Sequence, residues 1–265
     1  MPIQFSDNQP ESERALIDRL LTADPRRVLV VGHRGAEALA PENTWAAFEA
    51  GYSAGADLLE LDVQLTRDGQ AIIFHDFTLY PKLGDSRWVR DVAWADLRGR
   101  DVGSWFGPAF SGERIPRFLD VLDWARGRVA LQVDLKHGFS DPGDDRLEML
   151  ALDLIEQSGM EAQVVISSWD RVALARIGAR KPSIPLAVNL RERVSDPVAQ
   201  VGEARWVTVF WPQTDRATVA SLQQAGRVVS LANLFTGDYA DALRLGVNAV
   251  TATDPAAARA ALVNA

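Results

Sequence analysis

Two hydrophobic periods alternate along the chain. Short apolar runs rich in Val, Ile and Leu read as strands buried on both faces: Val28–Gly32, Asp57–Val63, Val129–Leu135, Gln163–Ser167, Ile184–Asn189, Trp206–Phe210, Arg227–Leu231 and Ala249–Thr253. Between them lie amphipathic stretches, which predict helices at Thr44–Ala54, Arg117–Ala125, Asp145–Gln157, Arg171–Ala179, Asp196–Val201, Arg216–Ala225 and Tyr239–Leu245. Gly55, Gly127, Gly159, Gly226 and Gly246 follow helical stretches, where a C-terminus favours a residue that tolerates a left-handed backbone. Pro255 can open a last helix, with Asp254 as its N-cap.

Strict alternation of strand and helix implies parallel strands joined by helical crossovers. Eight such units favour closure into a (β/α)8 TIM barrel over an open doubly wound sheet. The length of 265 residues suits a fold that needs about 250. No linker rich in Ser or Pro divides residues 1–265, so one domain is expected. The first strand is not followed by G-x-G-x-x-G, which argues against a dinucleotide site. A helix over Glu11–Leu21 is expected to cap the bottom of the barrel. The rhythm breaks once, after the second strand. Thr66-Arg67-Asp68-Gly69 reads as a turn, a short strand Ala71–Phe74 follows, and about 76–116 is an irregular insertion rich in Gly and Trp. An insertion after the C-terminal end of a barrel strand belongs on the catalytic face.

Composition narrows the chemistry. The chain has no cysteine, which removes thiol nucleophiles, disulfides and cysteine-type zinc sites. Met1–Gln9 lacks a basic region followed by an apolar one, and no apolar run approaches the roughly 18 residues of a membrane span. A cytoplasmic location is the expectation. A net charge of −8 argues against nucleic acid as a partner. It also sets a condition: a site for a phosphate ester must reverse the local sign with a metal or with placed Arg, Lys and His.

Barrel enzymes carry their chemistry at the C-terminal ends of the strands. The first strand ends Gly32-His33-Arg34-Gly35, the second carries Glu60-Leu61-Asp62, the hairpin ends Phe74-His75-Asp76, and the next barrel strand carries Asp134-Leu135-Lys136. Side chains alternate along a strand, so Glu60 and Asp62 share a face, as do Asp134 and Lys136. Buried carboxylates are costly without a compensating cation. Three of them at one barrel mouth suit a hard divalent ion, Mg2+ or Ca2+, bound through oxygen. His33 and His75 can serve as general acid and base near neutral pH. Arg34 offers a planar fork that matches phosphate oxygens.

These motifs, with Pro41-Glu42-Asn43-Thr44 between the first two, resemble the signature of the glycerophosphodiester phosphodiesterases in order and spacing across Val30–Leu79. Weaker resemblance continues through Gly103–Pro116, Val165-Ile166-Ser167-Ser168-Trp169 and Gly246–Pro255. The resemblance implies a catalytic pair His33 and His75, metal ligands Glu60, Asp62 and Asp134, and phosphate contacts from Arg34 and Lys136. It implies hydrolysis of a small-molecule glycerophosphodiester, such as one with a choline or ethanolamine arm, to an alcohol and glycerol 3-phosphate. A neighbouring glycerol hydroxyl could attack first, giving a cyclic phosphate that water opens. Three departures stand out: Asp134 where the family usually has Glu, Ser230-Leu231 where Trp-Thr is common, and Tyr80-Pro81-Lys82 where Arg-Thr is common.

Plainer readings stand beside these. Glu60, Asp62 and Asp134 can be simple ion-pair partners of Arg34 and Lys136. Asn43 and Thr44 are good helix caps, and Glu42 is either a cap or a ligand. Asp76 either orients His75 or starts a turn. His137 lies outside any motif and is expected in a surface loop. Trp105, Trp169 and Trp211 could line the substrate pocket, but with eight tryptophans in the chain core packing is the default for any one of them. Other functions also remain open: a diesterase for a lysophospholipid or sugar-phosphate diester, a metal-independent barrel phosphodiesterase, or a barrel that binds phosphodiesters without turnover.

Overall fold

A computed structural model of the chain describes residues 27–137, 143–232 and 239–263. The expected helix at Glu11–Leu21 lies outside the described residues. Eight parallel strands form the barrel: β1 (Leu29–Gly32), β2 (Leu58–Leu65), β4 (Ala130–Leu135), β5 (Val164–Ser167), β6 (Leu186–Leu190), β7 (Trp206–Phe210), β8 (Val228–Ala232) and β9 (Ala249–Ala252). β1 pairs with both β9 and β2, which closes the barrel. β3 (Ala71–Ile73) hangs antiparallel on β2 through the turn that the Thr66–Gly69 run predicts. Helices at Trp45–Ser53, Phe118–Ala125, Arg146–Ser158, Arg171–Arg180, Pro197–Val201, Arg216–Gln224, Ala240–Leu245 and Pro255–Val263 fill the predicted positions.

The alternation of side chains explains the core. One face of each strand packs against helices: Leu59, Leu61, Leu131, Val133 and Ile166 on one side of the molecule, and Val188, Val207, Val229 and Val250 on the other. The opposite face points into the barrel. Leu29, Val31, Leu58, Ala130, Val165, Ala187, Trp206, Val228 and Ala249 form an apolar plug. Two residues further along each strand the inward positions turn polar, at Glu60, Gln132, Ser167, Asn189, Thr208, Ser230 and Thr251. The barrel interior therefore grades from apolar at one end to polar and charged at the other. That gradient makes one mouth the site.

The insertion is not wholly irregular. It contains short helical turns at Tyr80–Leu83, Val89–Asp91, Trp94–Leu97 and Pro108–Phe110. They are held by a small core of their own, Ile72, Phe74, Leu79, Val89, Val92, Leu97, Val102 and Ile115. Short-range periodicity cannot show such turns, because each is too brief to repeat. Among the described residues no helix is long and apolar enough to cross a membrane.

The surface-loop expectation for His137 is wrong. Its side chain is only 8% exposed and its Nε2 lies 2.8 Å from Glu148 Oε2. Glu148 is fully buried on the helix Arg146–Ser158, and its Oε1 accepts from Arg176 Nη1 at 3.0 Å. This carboxylate ties the end of β4 to the helices Arg146–Ser158 and Arg171–Arg180 that follow it. Replacing Glu148 with Ala should lower unfolding free energy by about 3 kcal/mol, since it leaves the Arg176 guanidinium and the His137 ring facing a buried gap. Denaturant melts check this; a loss below about 0.5 kcal/mol, the range of ordinary surface substitutions, would remove the tie from the account of stability.

Candidate active site at the barrel mouth

The loop after β1 is shaped by backbone contact. Gly35 takes φ +89°, and a Cβ there would stand 2.6 Å from the carbonyl carbon of Ala47. A Cβ on Gly32 would meet the Gly35 carbonyl oxygen at 2.1 Å. Only glycine permits this approach. Arg34 is itself left-handed, at φ 47°. That turn lets the Arg34 amide donate to Glu60 Oε2 at 2.9 Å while its guanidinium Nε reaches Asp62 Oδ2 at 3.5 Å.

The register of β2 on β4 brings the carboxylates together. Asp62 pairs with Asp134 and Glu60 with Gln132 across the two strands. Glu60, Asp62 and Asp134 are all buried, and each offers an oxygen within 4.8 Å of the others. Lys136 Nζ lies 3.6 Å from Asp62 Oδ1 and 3.5 Å from Asp134 Oδ2. Ser167 donates to Asp134 Oδ1 at 3.1 Å. Burial and then the charge of Asp62 push the Glu60 carboxyl up to about 8. Burial and the charge of Asp62 also raise Asp134. Asp62 goes the other way: burial opposes its charge, but His75, Lys136, Arg34 and the Asn43 hydrogen bond hold it below the usual range.

Both histidines line the same cavity of about 430 Å3 as the three carboxylates, Arg34 and Lys136. His33 Nδ1 lies 2.6 Å from Glu37 Oε1, and its Nε2 lies 4.0 Å from Glu60 Oε2. Burial disfavours the imidazolium, but the Glu37 hydrogen bond and the charges of Glu60 and Glu37 outweigh it and raise the His33 pKa. His75 Nδ1 lies 3.2 Å from Asp76 Oδ1. Gln64 donates to the carbonyls of Phe74 and Asp76 at 2.6 and 2.9 Å, which steadies the backbone around His75.

Several residues take parts that motif reading did not settle or see. Asn43, expected as a cap, turns instead to Asp62, donating to Oδ2 at 2.8 Å. Thr44 caps the helix, accepting from the Ala47 amide. Glu42 neither caps nor joins the three carboxylates: Arg34 Nη1 sits 3.0 Å from its Oε2 and Lys82 Nζ 2.9 Å from its Oε1. Lys82 also pairs with Asp76. Burial opposes the charge of Asp76, but hydrogen bonds from His75 and Lys82 hold it well below the usual carboxylate range. Trp169, by default a core residue, is half exposed and lines the cavity, and Trp105 is also exposed. Trp211 packs against the core as expected. Glu37 stands four residues after His33, but Arg34 and Gly35 between them are left-handed, so the pair owes its contact to the loop and not to a helical repeat. Lys82 carries no spacing signal, since Glu42 is far away along the chain and Asp76, six residues before it, matches no helical repeat.

The donor set suits a divalent cation. Three buried carboxylates face two neighbouring cations, and the excess charge expresses itself in the raised Glu60 and Asp134. All the donors are oxygens, which match Mg2+ or Ca2+. A second group of possible donors, Glu42, His75 and Asp76, already encloses the Lys82 ammonium.

Known proteins resemble the chain in sequence and in fold. A family model described as the Glycerophosphoryl diester phosphodiesterase family matches residues 33–256. YhdW of Bacillus subtilis (strain 168) is 37% identical over 162 residues, covering 61% of this chain and 65% of that protein. A glycerophosphodiester phosphodiesterase of the same organism is 31% identical over 172 residues, covering 61% of this chain and 59% of that protein. The matched region thus spans less than two thirds of these curated relatives. Among solved structures, an Oleispira antarctica phosphodiesterase in complex with the product sn-glycerol-3-phosphate shares the fold. Its TM-score is 0.81 at 23% identity, over 89% of this chain and 97% of that one.

The raised Glu60 makes a pH prediction. Its proton, held up to about pH 8 in the fold but lost near 4.5 in an ordinary carboxyl, stabilises the metal-free fold fully at low pH. That contribution fades as pH rises from 4.5 toward 8. A cation that displaces the proton should therefore stabilise more at pH 8 than at pH 6. Thermal melts with added Mg2+ or Ca2+ at the two pH values check this; an equal or larger gain at pH 6 would show that Glu60 is not the group displaced.

Proposed function

From the premise that this chain belongs to the glycerophosphoryl diester phosphodiesterase family, we propose that it hydrolyses a glycerophosphodiester to an alcohol and glycerol 3-phosphate. The reading rests on one observation: His33, His75, Arg34, Lys136 and the three carboxylates all face one cavity at the mouth of the barrel. Glu60, Asp62 and Asp134 would hold a divalent cation, Mg2+ or Ca2+, which when bound supplies Lewis acidity and neutralises charge on the phosphoryl oxygens. The glycerol 3-phosphate half of the proposed substrate is the product bound in the Oleispira antarctica structure.

The two histidines divide the proton transfers by their partners. His33 Nδ1 sits against Glu37, whose hydrogen bond favours its charged form. It begins protonated and gives its proton to the departing alkoxide as the P–O bond breaks. His75 has its Nδ1 held by Asp76, an ionised carboxylate kept in place by Lys82. In the neutral imidazole that contact places the N–H on Nδ1, so Nε2 is the nitrogen that would take the proton of the attacking hydroxyl, whether from glycerol or water. Arg34 and Lys136 stand beside the carboxylates and draw the anionic diester against the outward repulsion of an acidic protein.

A chelator should abolish release of glycerol 3-phosphate, and Mg2+ or Ca2+ should restore it. Full activity in chelator would remove the cation from the reaction. The acid and base roles separate by leaving group. His33→Ala and His75→Ala should each cost at least about a hundredfold on an alkyl diester. With a phenol leaving group acidic enough to depart unprotonated, His33→Ala should recover most of its loss and His75→Ala should not. The opposite pattern would exchange the two roles, and near-normal rates in both variants would take the pair out of the mechanism.

A further inference from the structure

The two halves of the cavity differ in charge. Strands β1, β2 and β4 and the hairpin bring all the groups assigned above. Strands β5 to β9 line the other half with Ser167, Asn189, Thr208, Thr251 and Thr253, polar but uncharged. Among the described residues, Arg191 is the only ionisable side chain in that half. It follows directly on the C-terminal end of β6.

Arg191 is placed on aromatic faces. Its guanidinium carbon lies 5.3 Å from the centroid of Trp169 and 5.7 Å from that of Phe210, and those two rings are 6.0 Å apart. Both rings line the cavity. Stacking of this kind leaves the in-plane N–H groups available. Among the described residues no carboxylate or carbonyl accepts from them. In the same half, Thr208 Oγ1 is buried and finds no hydrogen-bond partner among the described residues. Buried polar atoms without partners are uncommon and call for one from a ligand.

The chemistry of the substrate arm follows. Exposed aromatic faces at a barrel mouth would suit a quaternary ammonium group. Here the faces of Trp169 and Phe210 already carry a cation, which repels another. The hydroxyls of Thr208, Thr251 and Thr253 and the amide of Asn189 suit a polyol. We infer that Arg191 selects glycerophosphodiesters whose second ester arm carries hydroxyls and a negative charge, and selects against arms that end in a quaternary ammonium. This inference rests on the diesterase reading above, and it departs from the choline and ethanolamine arms that family resemblance suggests.

The test uses the full chain with added Mg2+ or Ca2+ and three diesters with the same glycerol 3-phosphate half. Their arms are choline, glycerol, and glycerol ending in a phosphate monoester. The wild type should rank them phosphate-ended first, glycerol second and choline last in kcat/KM. Arg191→Met keeps an unbranched stem over the rings but removes the charge. It should lower the ratio of kcat/KM for the phosphate-ended arm over the choline arm by about tenfold, mostly through KM. Arg191→Lys should fall between the two, and added salt should shrink the wild-type ratio. A wild-type preference for choline, or a ratio that Arg191→Met leaves unchanged, overturns the inference while leaving the diesterase reading intact. If none of the three is hydrolysed, the diesterase reading fails instead. Equilibrium binding of the same three uncleaved diesters then reads the selectivity directly, and equal affinities overturn it.

Discussion

Mutual repulsion among three buried carboxylates governs the mouth of this barrel. Glu60, Asp62 and Asp134 come from two adjacent strands whose register puts Asp62 beside Asp134. In a low-dielectric site such a group cannot carry three full charges unaided. The fold answers in three ways. Arg34 and Lys136 pair with Asp62, Asn43 donates to it, and Glu60 retains its proton to about pH 8. What remains is an oxygen-lined site with charge to spare, the condition under which a hard divalent ion binds.

The insertion is tied into the same electrostatics. Lys82 reaches from it to Glu42 and Asp76, Glu42 meets Arg34, and Asp76 meets His75. Alternating charges thus run from one histidine to the guanidinium beside the carboxylates. Lys82 also stands over the rings of Phe74 and Trp105, 5.4 and 5.6 Å from their centroids. The segment that looked least ordered in the sequence therefore supports the segment with the most chemistry. Its own small apolar core keeps Lys82 in place.

Much of the architecture was readable from neighbouring residues alone. Each apolar run became a strand and each amphipathic stretch a helix within a residue or two, as at β7 and at Arg171–Arg180. The left-handed glycines after helices, such as Gly159 and Gly246, sit where their spacing placed them. Spacing also put Glu60 and Asp62 on one face of β2. The misreadings share a cause. His137 sits against Glu148 because β4 and the helix Arg146–Ser158 are packed together, and Asn43 turns to Asp62 because the loop folds over the barrel mouth. Neither neighbour is visible in a local pattern.

The order of apolar and polar positions was enough to dictate strands, helices, their alternation and the face on which each charged residue stands. These follow from backbone periods of two and 3.6 residues, which act between near neighbours. Closure and packing chose the partners: Arg34 with Asp62, Lys82 with Glu42, Arg191 with Trp169 and Phe210. Such pairings join groups brought close only when distant segments meet. Their energies depend on separation and burial in space, quantities that distance along a chain does not encode.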